Sequence, residues 1–183
     1  MFFNTHKKIA EQATVGVLNM LQSTFVYAGY INAGGKLQLP YGLWKDSYLV
    51  GFIFQLTNFI LNFELNAGQL PAQKKGEIVN ETISQIAGQN WVQAMAIISN
   101  AIRTSQDVEF MRGLDHAALM FGASTGRIKS EEYHSEPILK EALALSQSPA
   151  LAKFRRSASS EQAFLGEAVA MVTINQHMKK NFL

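Results

Sequence analysis

The chain has 183 residues, of which 48% are hydrophobic and 16% are charged, and it contains no cysteine. This length and apolar composition predict one folded domain, residues 1–183, and exclude a disordered chain; the lack of cysteine excludes disulfides, thiolate metal sites and a cysteine nucleophile. A net charge of +2, from 16 basic and 14 acidic residues, is too small to indicate nucleic acid or an anionic membrane surface as a partner.

The N-terminal segment carries basic residues ahead of an apolar region, as a signal peptide does. Polar residues such as Glu11, Gln12 and Asn19 interrupt that region too often for the apolar core of a signal peptide. We therefore expect a cytoplasmic protein whose first helix begins at Asn4 or Thr5 and ends near residue 28.

In the next segment, residues 30–39, apolar and polar residues alternate around Gly34 and Gly35. Alternation around a two-glycine turn is compatible with a small β-hairpin, which Pro40 would end. An irregular loop explains the same residues equally well, so the sequence leaves both interpretations open.

The most apolar segment of the chain is residues 47–63, which includes four phenylalanines. Asp46 is a candidate N-cap for a helix here, and a helix that is apolar over most of its circumference is buried by its neighbours or by lipid. The run is near the lower limit of about 17 residues for spanning a bilayer, and three amides, Gln55, Asn58 and Asn62, lie inside it. We therefore expect a core helix of a water-soluble protein and no membrane partner.

Helical spacing of apolar residues recurs along the rest of the chain, and no segment has the pattern of a long strand. A helical pattern over residues 72–87 is interrupted at 88–90 and resumes up to residue 104, so this region is either one bent helix or two. Further helices are predicted from Asp107 to about residue 121, from 137 to 145, from 149 to 156 and from about 161 to 180, with a polar linker at 127–136. The fold class is therefore all-α, a bundle of about seven or eight helices around the helix at 47–63.

The amides of the central helix fall on one stripe at 100° per residue. A buried amide needs hydrogen-bond partners, because an unsatisfied one costs about 1–3 kcal/mol. The stripe has three interpretations: the solvent-facing side of the helix, a hydrogen-bond network within the fold or between two copies, or the polar lining of a ligand pocket. Asp115, at the edge of the apolar face of a later helix, is a further acceptor for a ligand or another helix. The candidate ligand-binding residues are Gln55, Asn58, Asn62 and Asp115.

Two local spacings resemble those of metal sites or acid–base pairs. Glu131 and His134 have the Glu-x-x-His spacing of carboxylate-bridged metal sites, but the chain has no second such motif. Because they lie in a polar linker, a solvated charge run is the preferred interpretation. Asp115 and His116 are adjacent, and adjacent helix positions diverge by about 100°, so their side chains do not face each other. We therefore predict no metal site and no cofactor.

A basic patch runs from Lys153 to Arg156 and would suit nucleic acid or phosphate. It is isolated, and no recognition-helix pattern adjoins it, so an ordinary basic surface explains it better.

No motif in the sequence specifies a reaction. The excess of apolar helix surface over charge favours a non-enzymatic helical protein that acts by association, with a homodimer as the expected form. The alternative is a protein that binds a small apolar ligand among the phenylalanines of the central helix, oriented by Asn58, Asn62 or Asp115. An enzyme that uses Asp115 or the region 131–134 for acid–base chemistry ranks third, because local spacing places no two candidate groups together.

Overall fold

A computed structural model describes residues 3–27 and 42–181, and within those ranges all regular secondary structure is helical. This confirms the predicted all-α fold class. The β-hairpin considered for residues 30–39 lies outside the described residues. The helices are α1 (Phe3–Tyr27), α2 (Ser47–Phe59), α3 (Ala72–Ala87), α4 (Trp91–Thr104), α5 (Val108–Ser124), α6 (Glu132–Ser135), α7 (Pro137–Ser146), α8 (Ala152–Ser157) and α9 (Glu161–Asn181).

The chain divides into two compact units, each built from two stretches of sequence. Unit 1 consists of Met1–Asn19 and Pro40–Asp115, and unit 2 consists of Met20–Leu39 and His116–Leu183. The single domain expected over residues 1–183 stays a prediction.

Helix α2 is the predicted central helix, and most of its side chains are buried in unit 1. It begins where the sequence indicated, because the Asp46 side chain accepts a hydrogen bond from the Leu49 N–H at 2.9 Å. It continues as a π-helical turn, Ile60–Glu64, and Asn66 then adopts a left-handed backbone with φ of 52°, which asparagine tolerates better than most residues. Within the described ranges, no helix combines the length and the hydropathy that crossing a membrane requires.

Two glycines allow α2 and α5 to cross with their backbones in contact. A Cβ atom on Gly51 would overlap the carbonyl oxygen of Phe110. A Cβ atom on Gly113 would overlap the carbonyl oxygen of Tyr48 and lie 2.8 Å from the Phe52 nitrogen. Because real Cβ atoms do not approach main-chain atoms this closely, the crossing depends on both glycines.

Helices α3 and α4 are separate, which settles the choice that the sequence left open at residues 88–90. A 3₁₀ turn, Gly88–Asn90, joins them, and Gly88 has a φ of 55° that glycine adopts without steric cost. The first turn of α3 follows Pro71 and has no side-chain cap and no acidic residue, although it carries Lys74 and Lys75. The start of α3 therefore lacks the negative charge that the helix dipole would favour there.

The segment predicted as a polar linker in unit 2, residues 127–136, contains the short helix α6. The cap of α7 is Glu136, whose side chain accepts a hydrogen bond from the Leu139 N–H at 2.7 Å. The core of unit 2 includes a cluster in which Leu151, Phe164 and Met171 are buried together. Leu145 of α7 and Phe154 of α8 pack against this cluster, which connects both helices to α9.

Candidate functional site

Helices α2, α3 and α4 line an open groove of about 400 Å³ in unit 1. Its floor consists of buried aliphatic side chains, and its walls combine apolar and polar residues. The lining residues are Phe54 and Asn58 from α2, Ala72, Lys75, Gly76, Val79 and Asn80 from α3, and Met95, Ile98, Ser99 and Ile102 from α4.

The α3 wall is open because two of its residues are small. Ala72 and Gly76 are four residues apart and therefore lie on the same side of α3. No described atom lies within 4 Å of the position that a Cβ atom on Gly76 would occupy. Glycine within a helix costs about 0.5–1 kcal/mol relative to alanine, and no contact among the described residues requires a glycine at this position. Its effect is to leave open space at this point of the wall, between the side chains of Lys75 and Val79.

The polar groups of the groove come from all three helices. Asn58 donates a hydrogen bond from Nδ2 to the Phe54 carbonyl oxygen at 2.9 Å, which satisfies one donor and leaves Oδ1 as an acceptor. Asn80 and Ser99 are exposed, and Lys75 is half-buried. Lys75 is the one charged residue among the lining residues, and it forms no ion pair within the part of the chain that the structure describes.

The structure places one of the four predicted ligand-binding residues, Asn58, in this groove. Gln55 is half-buried on α2 and is not among the residues that line the groove. Asn62 lies in the π-helical turn, with its Oδ1 3.5 Å from the position of a Cβ atom on Gly68, so it packs against the next turn of chain. Asp115 is exposed on α5. The four residues therefore do not form one site.

The residues of the Glu-x-x-His motif and of the basic patch are mostly exposed. Glu131 and His134 are both exposed at α6, and no group of three or more His, Asp or Glu side chains in the described ranges is arranged to hold a metal ion. In the basic patch, Lys153 and Arg156 are exposed. Arg155 donates a hydrogen bond to the Ser146 carbonyl oxygen and lies 5.7 Å from the centre of the Phe164 ring. The Arg155 charge therefore has a structural role within unit 2.

A second cavity, of about 430 Å³, lies in unit 2 and was not anticipated from the sequence. Arg155 lines it together with Ser146, Glu161 and Phe164. Because the Arg155 guanidinium already binds a carbonyl oxygen and stacks on an aromatic ring, it is less available to a ligand than Lys75 in unit 1. The α2–α3–α4 groove is therefore the better candidate site.

Sequence reasoning identified Asn58 but missed the α3 and α4 residues of the groove. The available signal was Gly76, an isolated glycine within a helical pattern. No protein-family model, curated protein or solved structure matches this chain. The candidate site therefore rests on the geometry and chemistry of its own residues.

One titratable group next to α1 makes stability depend on pH. Glu64 is exposed as a residue, but partial burial of its carboxyl raises its pKa above the ordinary value of 4.5. One carboxylate oxygen lies 3.9 Å from the position of a Cβ atom on Gly16, beside the Ile60 side chain. The folded state then binds this proton more tightly than the unfolded state does. The contribution of this proton to the free energy of unfolding is therefore complete below pH 4.5, and it is lost as the pH rises through the folded-state pKa.

We expect Glu64→Gln, which mimics the protonated carboxyl, to remove this pH dependence. Relative to the wild type, the variant should gain stability as the pH rises from 4 to 7, measured as the free energy of unfolding in urea. Glu77→Gln is the control, because Glu77 is exposed on α3 and bonds to Gln73. A wild-type pH slope that survives in Glu64→Gln would contradict the expectation.

Proposed function

We propose that the protein acts by association, with a second copy of the chain as partner and the exposed side of α4 as the contact surface. The observation that carries this proposal is the exposure of large apolar side chains on α4: Trp91 is 47% exposed, Val92 62% and Ile102 63%. At 100° per residue these three side chains lie within an arc of about 100°. They therefore share one side of the helix.

The charge of α4 supports the same proposal. Arg103 is the single charged residue among the 14 residues of the helix, so a partner that covers α4 desolvates little charge. By its position in the sequence, Arg103 falls at the edge of the apolar arc. The rim of an interface stays in contact with water, so a charge there is tolerated. Tryptophan and arginine are also the residue types that most often dominate binding energy.

The chemistry of this surface favours a second copy of the chain as the partner. In a two-fold dimer the same patch of both subunits meets itself, so an apolar patch with little charge is self-complementary. The net charge of +2 is small, and it opposes association of two copies only weakly.

Sedimentation over a range of concentrations tests this proposal. We expect the wild type to form dimers, and we expect Trp91→Ser to raise the dissociation constant about tenfold or more, as truncation of an interface tryptophan does. Val92→Ser should have a smaller effect in the same direction, because valine buries less area.

Val15→Ser is the matched control, since Val15 is an exposed apolar residue on α1, away from α4 in sequence. It should leave the dissociation constant unchanged. A wild type that remains monomeric at high micromolar concentration, or equal effects of Val15→Ser and Trp91→Ser, would count against the proposal.

A further inference from the structure

We propose that the α2–α3–α4 groove binds an amphiphile with one unbranched apolar chain and an anionic head group, of which a medium-chain fatty acid is the simplest example. This goes beyond association and does not depend on it. The groove and the proposed association surface adjoin on α4, where Ile102 belongs to both, so a second copy and a ligand would compete for this side of the groove. The charge and the free space that carry the inference come from Lys75 and Gly76 of α3.

The size and walls of the groove fit such a chain. Its volume of about 400 Å³ is in the range of about 300–1,000 Å³ typical of small-molecule sites. Val79 and Ile98 are buried at its floor, and Phe54, Met95 and Ile102 add apolar wall. Because the Gly76 position is open, a linear chain has space beside α3 at this point.

Charge complementarity identifies the head group. Lys75 is the single charged lining residue, and within the described residues it has no ion-pair partner. Lys74 adds a second positive charge to the same turn of α3, which contains no acidic residue. An anion next to this turn would pair with Lys75, whereas a cation would be repelled. The Asn58 amide and the Ser99 hydroxyl offer further polar contacts within the groove.

The same geometry makes affinity depend on chain length. Each methylene group that enters an apolar groove contributes a hydrophobic gain that corresponds to roughly a fourfold increase in affinity. We therefore expect affinity to rise along the series octanoate, decanoate and dodecanoate and then to level off, once the chain exceeds the length of the groove.

Calorimetric titration with decanoate, below its critical micelle concentration, tests the proposal. The uncharged 1-decanol and the cationic decyltrimethylammonium are the matched ligands. We expect decanoate to bind more tightly than either, and we expect Lys75→Met to weaken decanoate roughly fivefold while leaving 1-decanol unchanged. Lys74→Met is the matched control, because Lys74 is exposed and does not line the groove.

A second variant removes the space instead of the charge. Gly76→Leu should fill the groove and abolish binding of both decanoate and 1-decanol. It should retain the helical circular dichroism of the wild type, because no described atom lies within 4 Å of the Cβ position and the rest of the side chain enters open space. Equal binding of decanoate and decyltrimethylammonium, or no effect of either Lys75→Met or Gly76→Leu, would overturn the proposal.

The association proposal is tested separately by Trp91→Ser. If association fails but the groove binds decanoate as described, this variant and the wild type will bind decanoate with equal affinity. Decanoate binding by Trp91→Ser that the wild type lacks would mean that a second copy covers the groove in the wild type, and it would support both association and the groove as the ligand site of the separated chain. Absence of decanoate binding in both proteins would overturn the ligand proposal and leave association to the sedimentation result.

Discussion

Gly113→Ala is expected to lower the free energy of unfolding by about 3 kcal/mol, at the upper end of the usual cost of overpacking. The new methyl group would overlap the Tyr48 carbonyl oxygen and lie 2.8 Å from the Phe52 nitrogen. Both are main-chain atoms of α2, so rotation of a side chain cannot relieve the overlap. Helix α5 would have to move away from α2, with loss of packing over the whole crossing.

Gly51→Ala should have a similar effect, because its methyl group would meet the Phe110 main chain from the other side of the same crossing. Once one substitution has separated the helices, the second should cost less, so the double variant should be destabilised by less than the sum of the two single variants.

The matched control is Gly76→Ala, the same change in a helix of the same unit. There the methyl group meets no described atom, and we expect a gain of about 0.5–1 kcal/mol from the better helix propensity of alanine. Urea denaturation followed by far-ultraviolet circular dichroism measures the three single variants and the double variant. Equal stability of Gly113→Ala and Gly76→Ala would contradict the backbone contact between α2 and α5.

Phe164→Ala is expected to cost about 3–5 kcal/mol, the usual range for truncating a buried phenylalanine. Phe164 is buried with Leu151 and Met171 in unit 2, and its removal would leave a cavity among them. It would also remove the ring over which the Arg155 guanidinium lies at 5.7 Å, a contact of about 0.5–1 kcal/mol at an exposed site.

Phe63→Ala is the control for Phe164→Ala, because Phe63 is about half exposed and stacks only loosely on Phe59, with ring centres 6.1 Å apart. We expect it to cost less than about 1 kcal/mol. Thermal unfolding followed by calorimetry compares the two variants, and equal losses would contradict the assignment of Phe164 to a buried cluster.

The sequence predicted those parts of the fold that depend on local signals. The cap at Asp46 and the helix start at Asp107 were both predicted, and each side chain accepts a backbone hydrogen bond at 2.9 Å. The break at Gly88 was also recognised, because glycine and polar residues interrupt a helical pattern. The all-α class follows from the same periodicity.

The remaining features depend on contacts between segments far apart in sequence. Gly51 lies on the same stripe as Gln55 and Asn58, yet it is buried against α5, while Asn58 lines the groove. The sequence of one helix does not indicate which part of its polar stripe a neighbouring helix will cover. The groove likewise exists only when three helices come together, so Asn58 was predicted but Lys75 and Gly76 were not.

The crossing of α2 and α5 also limits how the sequence can diverge. The atoms that any side chain at Gly51 or Gly113 would strike belong to the main chain, which every residue shares. A second substitution elsewhere therefore cannot make room by exchanging a large side chain for a small one. At Gly122, by contrast, the nearest atoms belong to the Ile128 side chain, which a smaller residue at position 128 would remove. Positions 51 and 113 should therefore stay glycine in any sequence that keeps this crossing, whatever changes around them.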